Sequence, residues 1–246
     1  QQVAVIGVRD RESKAELSDM GVTRPPIHVT ADAVLSMHPV DKAIGRQILE
    51  RHGVTGSRRK VGIAVRNWQG HQAYKDAIAE AADRLQQQED VDIIFIPMQH
   101  PEDVDAGRDI ADRMKKAAIV LDDRYSTVEF MSLMGCMDAV IANRLHALIF
   151  SALMETPATA ISYDPKIDSF IHLIGDRVCG TTESVTAEAL ASRVSQQLAQ
   201  GGLAPAIKAR LNHLRRQSLR NAYLALRILE GRDGVRKRLE QHRRSL

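Results

Sequence analysis

The fold is decided by residues 138–150, which have the sequence DAVIANRLHALIF. Residues 138–142 form a short apolar run with β-branched members, which is typical of a buried strand. From residue 145 to residue 154 the apolar side chains recur at helical spacing, and Asn143 and Arg144 stand between the two patterns. The stretch therefore predicts a strand followed directly by a helix, with polar residues at the junction.

The same alternation extends outward through the middle of the chain. Strand-like apolar runs are predicted at residues 61–65, 91–97, 117–121, 138–142 and 156–161. Amphipathic helical stretches are predicted at residues 71–88, 101–116, 127–135, 145–154, 166–174 and 185–200. Continuous apolar strands between helices predict an α/β fold with a doubly wound parallel sheet, in which ligands bind at the carboxyl ends of the strands.

The first residues of the chain do not open that domain. Residues 3–8 predict a strand, residues 13–20 a helix that ends before Gly21, and residues 27–30 a second strand. These units resemble the end of another Rossmann-like domain, so we expect the natural protein to have a further amino-terminal portion. The predicted organisation is an incomplete first α/β domain with a linker ending near Arg58-Arg59-Lys60 (residues 1–57), a Rossmann-like domain (residues 58–204) and a basic helical tail (residues 205–246).

Composition bounds the class of protein. Of the 246 residues, 44% are hydrophobic and 26% are charged, which excludes disordered and fibrous chains. No apolar run approaches the ~20 residues of a membrane helix, and the first residues lack the sections of a signal peptide, so we expect a cytoplasmic protein. Cys136 and Cys179 have no metal-ligand spacing, so neither a metal site nor a disulfide is expected.

Charge is distributed unevenly along the chain. The net charge is +3, but residues 205–246 contain 12 Lys+Arg and 3 Asp+Glu, a balance of +9, against −6 for residues 1–204. Such asymmetry predicts an anionic partner for the tail, and nucleic acid, acidic lipid and the protein's own acidic surface are the candidates. Residues 206–229 predict a basic amphipathic helix, which either packs back on the body or contacts a membrane surface.

Polar residues follow four predicted strands at the point where each strand ends. They are Arg9-Asp10, Arg66-Asn67-Trp68, Pro97-Met98-Gln99-His100 and Asn143-Arg144-Leu145-His146. Any single arginine can form an ordinary surface ion pair. Three strand-end arginines, Arg9, Arg66 and Arg144, predict a converging site for a small anionic ligand.

Several further residues have both a functional and a structural interpretation. His146, in the first turn of a predicted helix, is a candidate general base or hydrogen-bond donor, or it is satisfied by local packing. Asp164 and Lys166 can reach the same cleft, or Asp164 is only a helix cap. Glu129 can bind a hydroxylated ligand or only compensate a helix dipole.

The sequence lacks GxGxxG, GxxxxGK[ST] and GxSxG motifs, which excludes the commonest dehydrogenases, NTPases and serine hydrolases.

A set of short stretches is shared with one known family. The stretches are VRDRES at residues 8–13, residues 17–22, VTAD at 29–32, PMQ at 97–99, RLHALI at 144–149 and ISYDPK at 161–166. In their order and approximate spacing they resemble the polysaccharide pyruvyl transferase family, most closely its bacterial branch that modifies cell-wall polymers. The RLHALIF run followed by SYDPK is the most specific part of this resemblance.

The resemblance implies a GT-B-like fold with the active site in the cleft between two Rossmann-like halves. It implies transfer of pyruvate from phosphoenolpyruvate to two hydroxyls of one sugar, as a cyclic ketal. The implied acceptor is a glycan or lipid-linked saccharide, such as an N-acetylhexosamine of a cell-wall polymer precursor, at the cytoplasmic face of the plasma membrane. No cofactor and no nucleic acid partner are expected.

The implied chemistry can be assigned to residues. Phosphoenolpyruvate carries a phosphate and a carboxylate, so it needs cationic clamps. The predicted substrate-binding residues are Arg9, Arg66, Arg144, Lys166, Gln99 and Glu129. Ketal formation also requires proton transfer, for which His146 is the predicted acid or base and Asp164 its orienting partner or second base.

Two other functions stay open from the residues. A GT-B glycosyltransferase or epimerase acting on a nucleotide sugar would use Glu129 for the ribose, and His146 with Arg144 for the diphosphate. A noncatalytic, membrane-associated sugar-binding protein is the other alternative, and the three strand-end arginines argue against it.

Overall fold

The computed structural model describes the backbone of residues 3–244 and, in the last helix, side chains as far as Leu229. These residues divide into two compact units. The first unit comprises the described residues up to Met37 together with those from Leu211 onward, and the second unit spans His38–Arg210. All the predicted site residues except Arg9 therefore belong to the second unit.

The first unit contains a small parallel sheet. Strands β1 (Ile6–Val8) and β2 (Ile27–Val29) pair in parallel, and helix α1 (Arg11–Asp19) connects them. Strand β1 is shorter than the strand predicted at residues 3–8. The ladder stops at Ile6, whose amide donates to Pro26, because the prolines that precede β2 have no N–H to extend the pairing.

The second unit is built on a parallel sheet of six strands flanked by helices. The strands are β3 (Arg59–Ala64), β4 (Val91–Phe95), β5 (Ile119–Val120), β6 (Ala139–Ala142), β7 (Ala158–Ser162) and β8 (Gly180–Thr181), in the order β5-β4-β3-β6-β7-β8. The helices are α2 (Lys42–Arg51), α3 (Ala73–Gln88), α4 (Glu102–Ala111), α5 (Thr127–Gly135), α6 (Leu145–Leu153), α7 (Pro165–Leu173) and α8 (Ala187–Gln200). The predicted α/β class and parallel sheet are confirmed.

Burial explains why these segments are strands. Strands β3 and β6 lie in the middle of the sheet, and Val61, Ile63, Val140 and Ile141 expose no more than 1% of their surface. Consecutive residues of a strand face opposite sides of the sheet, so both sides of the centre are covered. The apolar runs therefore lack the alternation of a half-exposed strand, as the sequence pattern indicates.

The predicted domain boundaries differ from the two observed units. Residues 38–57 were expected in the first domain and its linker, but they lie in the second unit and contain α2. This helix packs closely on α5, because Gly45 donates its amide to Ser132 Oγ at 2.6 Å and a Cβ on Gly45 would lie 2.6 Å from the Ser132 carbonyl oxygen. Arg59 and Lys60, predicted near the linker end, begin β3.

The predicted tail helix is present as α9 (Pro205–Arg244). Its first residues belong to the second unit, and the rest, from Leu211, belongs to the first. The apolar spacing of this helix places side chains in the protein interior, since Leu211 and Leu214 are buried. Ser218 Oγ also donates to the Asp32 carbonyl oxygen at 2.9 Å, so this part of the helix packs within the first unit.

Candidate functional site

The candidate site lies at the carboxyl ends of three adjacent strands, β3, β6 and β7. Arg66 follows β3, Arg144 follows β6, and the segment from Tyr163 to Lys166 follows β7. Gln99 follows β4, which is the other neighbour of β3. Because all these strands are parallel, their carboxyl ends meet at one edge of the sheet, as predicted for the ligand site.

A buried asparagine fixes the backbone of Arg66. The Asn143 side chain, which is fully buried, accepts a hydrogen bond from the Arg66 amide at 2.9 Å and donates one to the Arg66 carbonyl oxygen at 3.2 Å. Tyr74 Oη donates to the same carbonyl oxygen at 2.7 Å. Burial raises the pKa of Tyr74 to about 12, so this donor keeps its proton at neutral pH.

The Arg66 guanidinium is held by aromatic rings. Its central carbon lies 5.6 Å from the ring centroid of Trp68 and 5.7 Å from that of Tyr163, and Nη1 donates to Tyr163 Oη at 3.5 Å. Its Nε is buried and has no partner, and across residues 3–229 no carboxylate lies within ion-pair distance of this guanidinium. Arg66 therefore keeps its full charge and a donor for a ligand.

The two rings also contact each other and a lysine. The centroids of Trp68 and Tyr163 are 4.2 Å apart with 39° between the ring planes, and Lys166 Nζ lies 5.4 Å from the centroid of Tyr163. Lys166 Nζ forms an ion pair with Asp164 at 3.0 Å. Asp164 also caps α7, because it accepts a hydrogen bond from the Lys166 amide at 3.0 Å. This is the structural role that the sequence predicted as the alternative for Asp164.

Arg144 is held by a carboxylate instead. It forms an ion pair with Asp103, whose side chain is 1% exposed, and it donates to Gln99 Oε1 at 3.3 Å. The other Asp103 oxygen accepts from the amides of Met98 and Gln99 at 3.1 and 3.0 Å. Arg144 thus ties the loop after β6 to the loop after β4, and its Nε is buried without a partner.

His146 is exposed on the first turn of α6, two residues after Arg144. Its ring centroid lies 6.2 Å from that of Phe150, one helical turn away. Within the described part of the chain the structure gives its imidazole no hydrogen-bond or ion-pair partner. The ring is therefore accessible to a ligand at the strand ends, and burial does not explain its presence.

Two predicted site residues have other partners. Arg9 is in the first unit, where Nε contacts Asp10 at 3.3 Å and Nη1 contacts Asp32 at 3.6 Å. Glu129 forms a capping box with Ser126 at the start of α5, and the hydrogen bond from the Ser126 amide lowers the pKa of Glu129. Glu129 therefore has a structural role in the first turn of α5, which is the alternative to ligand binding that the sequence left open.

Sequence reasoning missed three residues of the group. Trp68 stands two residues after Arg66 and Tyr163 directly before Asp164, so an aromatic side chain close to a predicted site residue was the available signal. Asp103 gave no signal, because it lies in the first turn of α4 and an acidic residue there is expected from the helix dipole alone.

The arrangement can bind an anion and transfer a proton beside it. Arg66 supplies an uncancelled charge, Arg144 a second guanidinium, and His146 an accessible imidazole. Within residues 3–229, no group of three or more His, Cys, Asp and Glu is arranged to hold a metal ion. No helix in the same span has the length and apolar character needed to cross a membrane.

Comparisons with known proteins define what the chain is similar to. The family model described as polysaccharide pyruvyl transferase matches residues 1–165. Among curated proteins, none matches this sequence.

Three solved structures share the fold. S. aureus MnaA with UDP matches with a TM-score of 0.61 and 11% identity, over 89% of this chain and 59% of that chain. The Neisseria meningitidis UDP-GlcNAc 2-epimerase bound to UDP-GlcNAc matches with a TM-score of 0.57 and 9% identity, over 85% of this chain and 59% of that chain. A glycosyltransferase from Rickettsia africae matches with a TM-score of 0.58 and 16% identity, over 92% of this chain and 64% of that chain. At these identities the likeness shows the fold alone, and the predicted GT-B-like class is confirmed. The chain spans 59% to 64% of the length of these three proteins.

Proposed function

Because the chain belongs to the polysaccharide pyruvyl transferase family, we propose that it transfers the pyruvyl group of phosphoenolpyruvate to two hydroxyls of a sugar. The product is a cyclic ketal, and the proposed acceptor is an N-acetylhexosamine of a lipid-linked cell-wall precursor. The observation that carries the proposal is the guanidinium of Arg66, which has no carboxylate partner in residues 3–229 and stands at the strand ends with Arg144 and His146.

The donor's charge suits these groups. Phosphoenolpyruvate has a phosphate and a carboxylate on one small carbon frame, and a guanidinium can bind either group with two parallel hydrogen bonds. Arg66 has a buried Nε without a partner, and so has Arg144. After Arg66 and Arg144, Lys166 is the third proposed cation for the donor, although Asp164 offsets its charge.

The chemistry requires protons to move at two points. One sugar hydroxyl bonds to C2 of the donor and loses its proton, while the methylene carbon C3 gains one. The C2–O bond to phosphate then breaks, and phosphate leaves with the electron pair. The second hydroxyl bonds to C2, and its proton leaves with the phosphate.

His146 is the proposed group for these transfers. An imidazole can accept a proton from a hydroxyl and return it within one cycle near neutral pH. The exposure of His146, two residues after Arg144, supports access to a donor bound by that arginine. Asp164 is the proposed second base, since its carboxylate is 31% exposed beside Lys166.

Sugar-dependent release of phosphate tests the function. Phosphoenolpyruvate should raise the melting temperature of the protein, because a ligand that binds only the folded state stabilises it. Phosphate should then appear from phosphoenolpyruvate only when an N-acetylhexosamine acceptor is added. Stabilisation by UDP without any response to phosphoenolpyruvate would instead favour the nucleotide-sugar alternative.

We also propose that α9 contacts an anionic membrane surface. Leu219, Ile228 and Leu229 of this helix are 57%, 51% and 80% exposed. Arg216 and Arg220 are exposed near Leu219, and Arg227 is exposed directly before Ile228. Apolar side chains with neighbouring arginines are typical of helices that lie on acidic lipid, where each basic residue contributes about 1 kcal/mol.

Vesicle flotation tests this partner. The protein should float with phosphatidylglycerol vesicles at low salt and much less at high salt, because salt screens the attraction. The double variant Arg216→Glu/Arg220→Glu should lose most of this binding, whereas Arg84→Glu on α3 is the matched control and should not. Equal flotation of the double variant and the wild type would contradict the proposal.

A further inference from the structure

The contact between Trp68 and Tyr163 joins two loops that are not neighbours in the sheet. Trp68 follows β3 and Tyr163 follows β7, and β6 lies between these strands. The loop after β6 leads into α6, whose first turn carries His146. Both rings are half-buried, so each keeps part of its surface accessible. The pair therefore presents apolar surface at the same edge of the sheet as the proposed donor clamps.

We propose that Trp68 and Tyr163 form a stacking surface for the pyranose ring of the acceptor sugar. This inference rests on the proposed function, since it assigns the second substrate to the same edge of the sheet. A pyranose presents a face of C–H groups that packs on an aromatic ring, and its hydroxyls point outward to polar partners. A sugar held on this surface would lie beside the loop that leads to His146.

Polar groups around the rings can form hydrogen bonds with the hydroxyls of a sugar. Lys166 and Asp164 border Tyr163 and are 32% and 31% exposed, so a hydroxyl can reach an ammonium donor and a carboxylate acceptor. Arg66 contacts both rings and keeps its charge. The cluster thus combines apolar, hydrogen-bonding and anion-binding groups within one set of touching side chains.

The ring geometry favours a sugar over a nucleobase. A flat base stacks best in a slot between parallel surfaces or on one wide flat surface. The planes of Trp68 and Tyr163 are inclined by 39°, and their centroids are only 4.2 Å apart, so no base fits between them. A puckered pyranose needs only a few C–H contacts with each ring, which an inclined pair can provide.

The simpler alternative is that the rings only hold Arg66 in place. In that case the loss of a ring weakens only donor binding. If the rings bind the acceptor, the loss of a ring weakens sugar binding even when no phosphoenolpyruvate is present. The two roles therefore differ in a measurement that contains only protein and sugar.

Trp68 is the only tryptophan of the chain, so its fluorescence reports on this site alone. We expect saturable changes in emission on titration of the protein with the methyl glycosides of N-acetylglucosamine or N-acetylmannosamine. Phosphoenolpyruvate and UDP are titrated separately. A change with UDP but with neither glycoside, or no saturable change with either glycoside up to about 50 mM, overturns the inference, because even weak sites bind in the millimolar range.

Variants separate a stacking surface from a positioning role. Saturation-transfer NMR should show the glycoside bound at least about tenfold more weakly to Tyr163→Leu, and little changed with Tyr163→Phe, which keeps the ring. Trp68→Leu and Trp68→Phe should behave in the same way, and Tyr125→Leu is the control outside the cluster. Unchanged glycoside binding in both leucine variants overturns the inference, provided that circular dichroism shows them folded. A leucine variant that is unfolded is replaced by methionine at the same position, which also lacks a ring, with the same expectation of weaker binding.

The proposed function is tested separately. If the glycoside binds at Trp68 but phosphoenolpyruvate neither binds nor reacts, the donor assignment fails and the sugar surface stands. If phosphoenolpyruvate binds and the glycoside does not perturb Trp68, the donor assignment stands and the sugar surface is wrong.

Discussion

Two arginines at neighbouring strand ends are held in opposite ways. Arg66 lies against the rings of Trp68 and Tyr163, with no carboxylate in ion-pair distance in the described chain. Arg144 is paired with the buried carboxylate of Asp103. Both follow central strands of one sheet, so their surroundings and not their positions in the fold distinguish them.

The difference teaches how an arginine can be fixed with or without loss of its charge. Aromatic rings attract a guanidinium through their quadrupole and leave its net charge in place. A buried carboxylate fixes a guanidinium more firmly and cancels the charge in doing so. We therefore expect Arg66 to serve mainly donor binding, and Arg144 to serve mainly the geometry of the loop that leads to His146.

The largest expected effect concerns the chemistry beside Arg144. His146→Gln should lower turnover by a factor of about 100 to 10,000, the range of general acid–base catalysis, because glutamine cannot exchange a proton at neutral pH. Donor affinity and melting temperature should stay nearly constant, since the imidazole is exposed. His172→Gln, an exposed histidine on α7, is the control.

Steady-state kinetics and a thermal melt together decide this prediction. A decrease in turnover of less than about tenfold is below the range of acid–base catalysis and would make Asp164 the leading candidate. Early melting of His146→Gln would show instead that the histidine is a packing residue.

The next effect concerns the charge of Arg66. Arg66→Ala should weaken phosphoenolpyruvate binding by about 1.5 to 3 kcal/mol, the range for hydrogen bonds to charged groups. Arg144→Ala should weaken it less, because Asp103 already offsets that charge. Isothermal titration calorimetry measures both, with Arg84→Ala as the control, since Arg84 forms only an exposed pair with Glu80. Equal losses in the two variants would break the distinction between the arginines.

The sequence predicted the sheet edge better than the contacts made there. Strand ends follow from local apolar runs, so Arg66, Gln99 and Arg144 were placed correctly at one edge of the sheet. The partner of each arginine depends on contacts between segments far apart in the chain. Asp103 lies 41 positions before Arg144, and no local pattern distinguishes it from an ordinary acidic residue in a first helical turn.

Domain boundaries were harder to predict for the same reason. Helix α2 lies directly before β3 and was assigned to the first domain with its linker, yet it packs on α5, about 90 residues later. The tail is divided between two units although it is one helix. Local periodicity predicts such helices but not the unit on which each one packs.

A smaller effect concerns the carboxylate that holds Arg144. Asp103→Asn should lower the free energy of unfolding by about 1 to 3 kcal/mol, because the Arg144 guanidinium loses its charged partner. Urea unfolding measures this loss. Asp122→Asn is the matched control, since Asp122 pairs with Arg108 where both side chains are at least half exposed, and such pairs contribute at most about 1 kcal/mol. Equal, small losses in the two variants would show that Asp103 does not fix Arg144.

The smallest effect concerns a third arginine, Arg9, whose charge two carboxylates offset in the first unit. Burial alone would raise the pKa of Asp10, but the hydrogen bond from Ser13 and the charge of Arg9 lower it below its ordinary value of 3.8. A lowered pKa means that the ionised carboxylate stabilises the folded state above the unfolded-state pKa. That contribution is lost as the pH falls through the folded-state pKa.

Asp10→Ala should lower the free energy of unfolding by about 1 kcal/mol at pH 7, since Asp10 caps α1. Asp10→Asn keeps a cap but loses the charge, so its deficit should be smaller at neutral pH and should disappear under acid conditions, where Asp10 of the wild type is protonated. Urea unfolding of the three proteins at neutral pH and well below pH 3.8, where the lowered pKa of Asp10 has also been passed, measures both effects. A deficit of Asp10→Asn that is the same at both pH values would show that capping alone, and not the charge beside Arg9, accounts for Asp10. The ion pair of Arg9 with Asp10 would then contribute nothing measurable to the stability of the folded state.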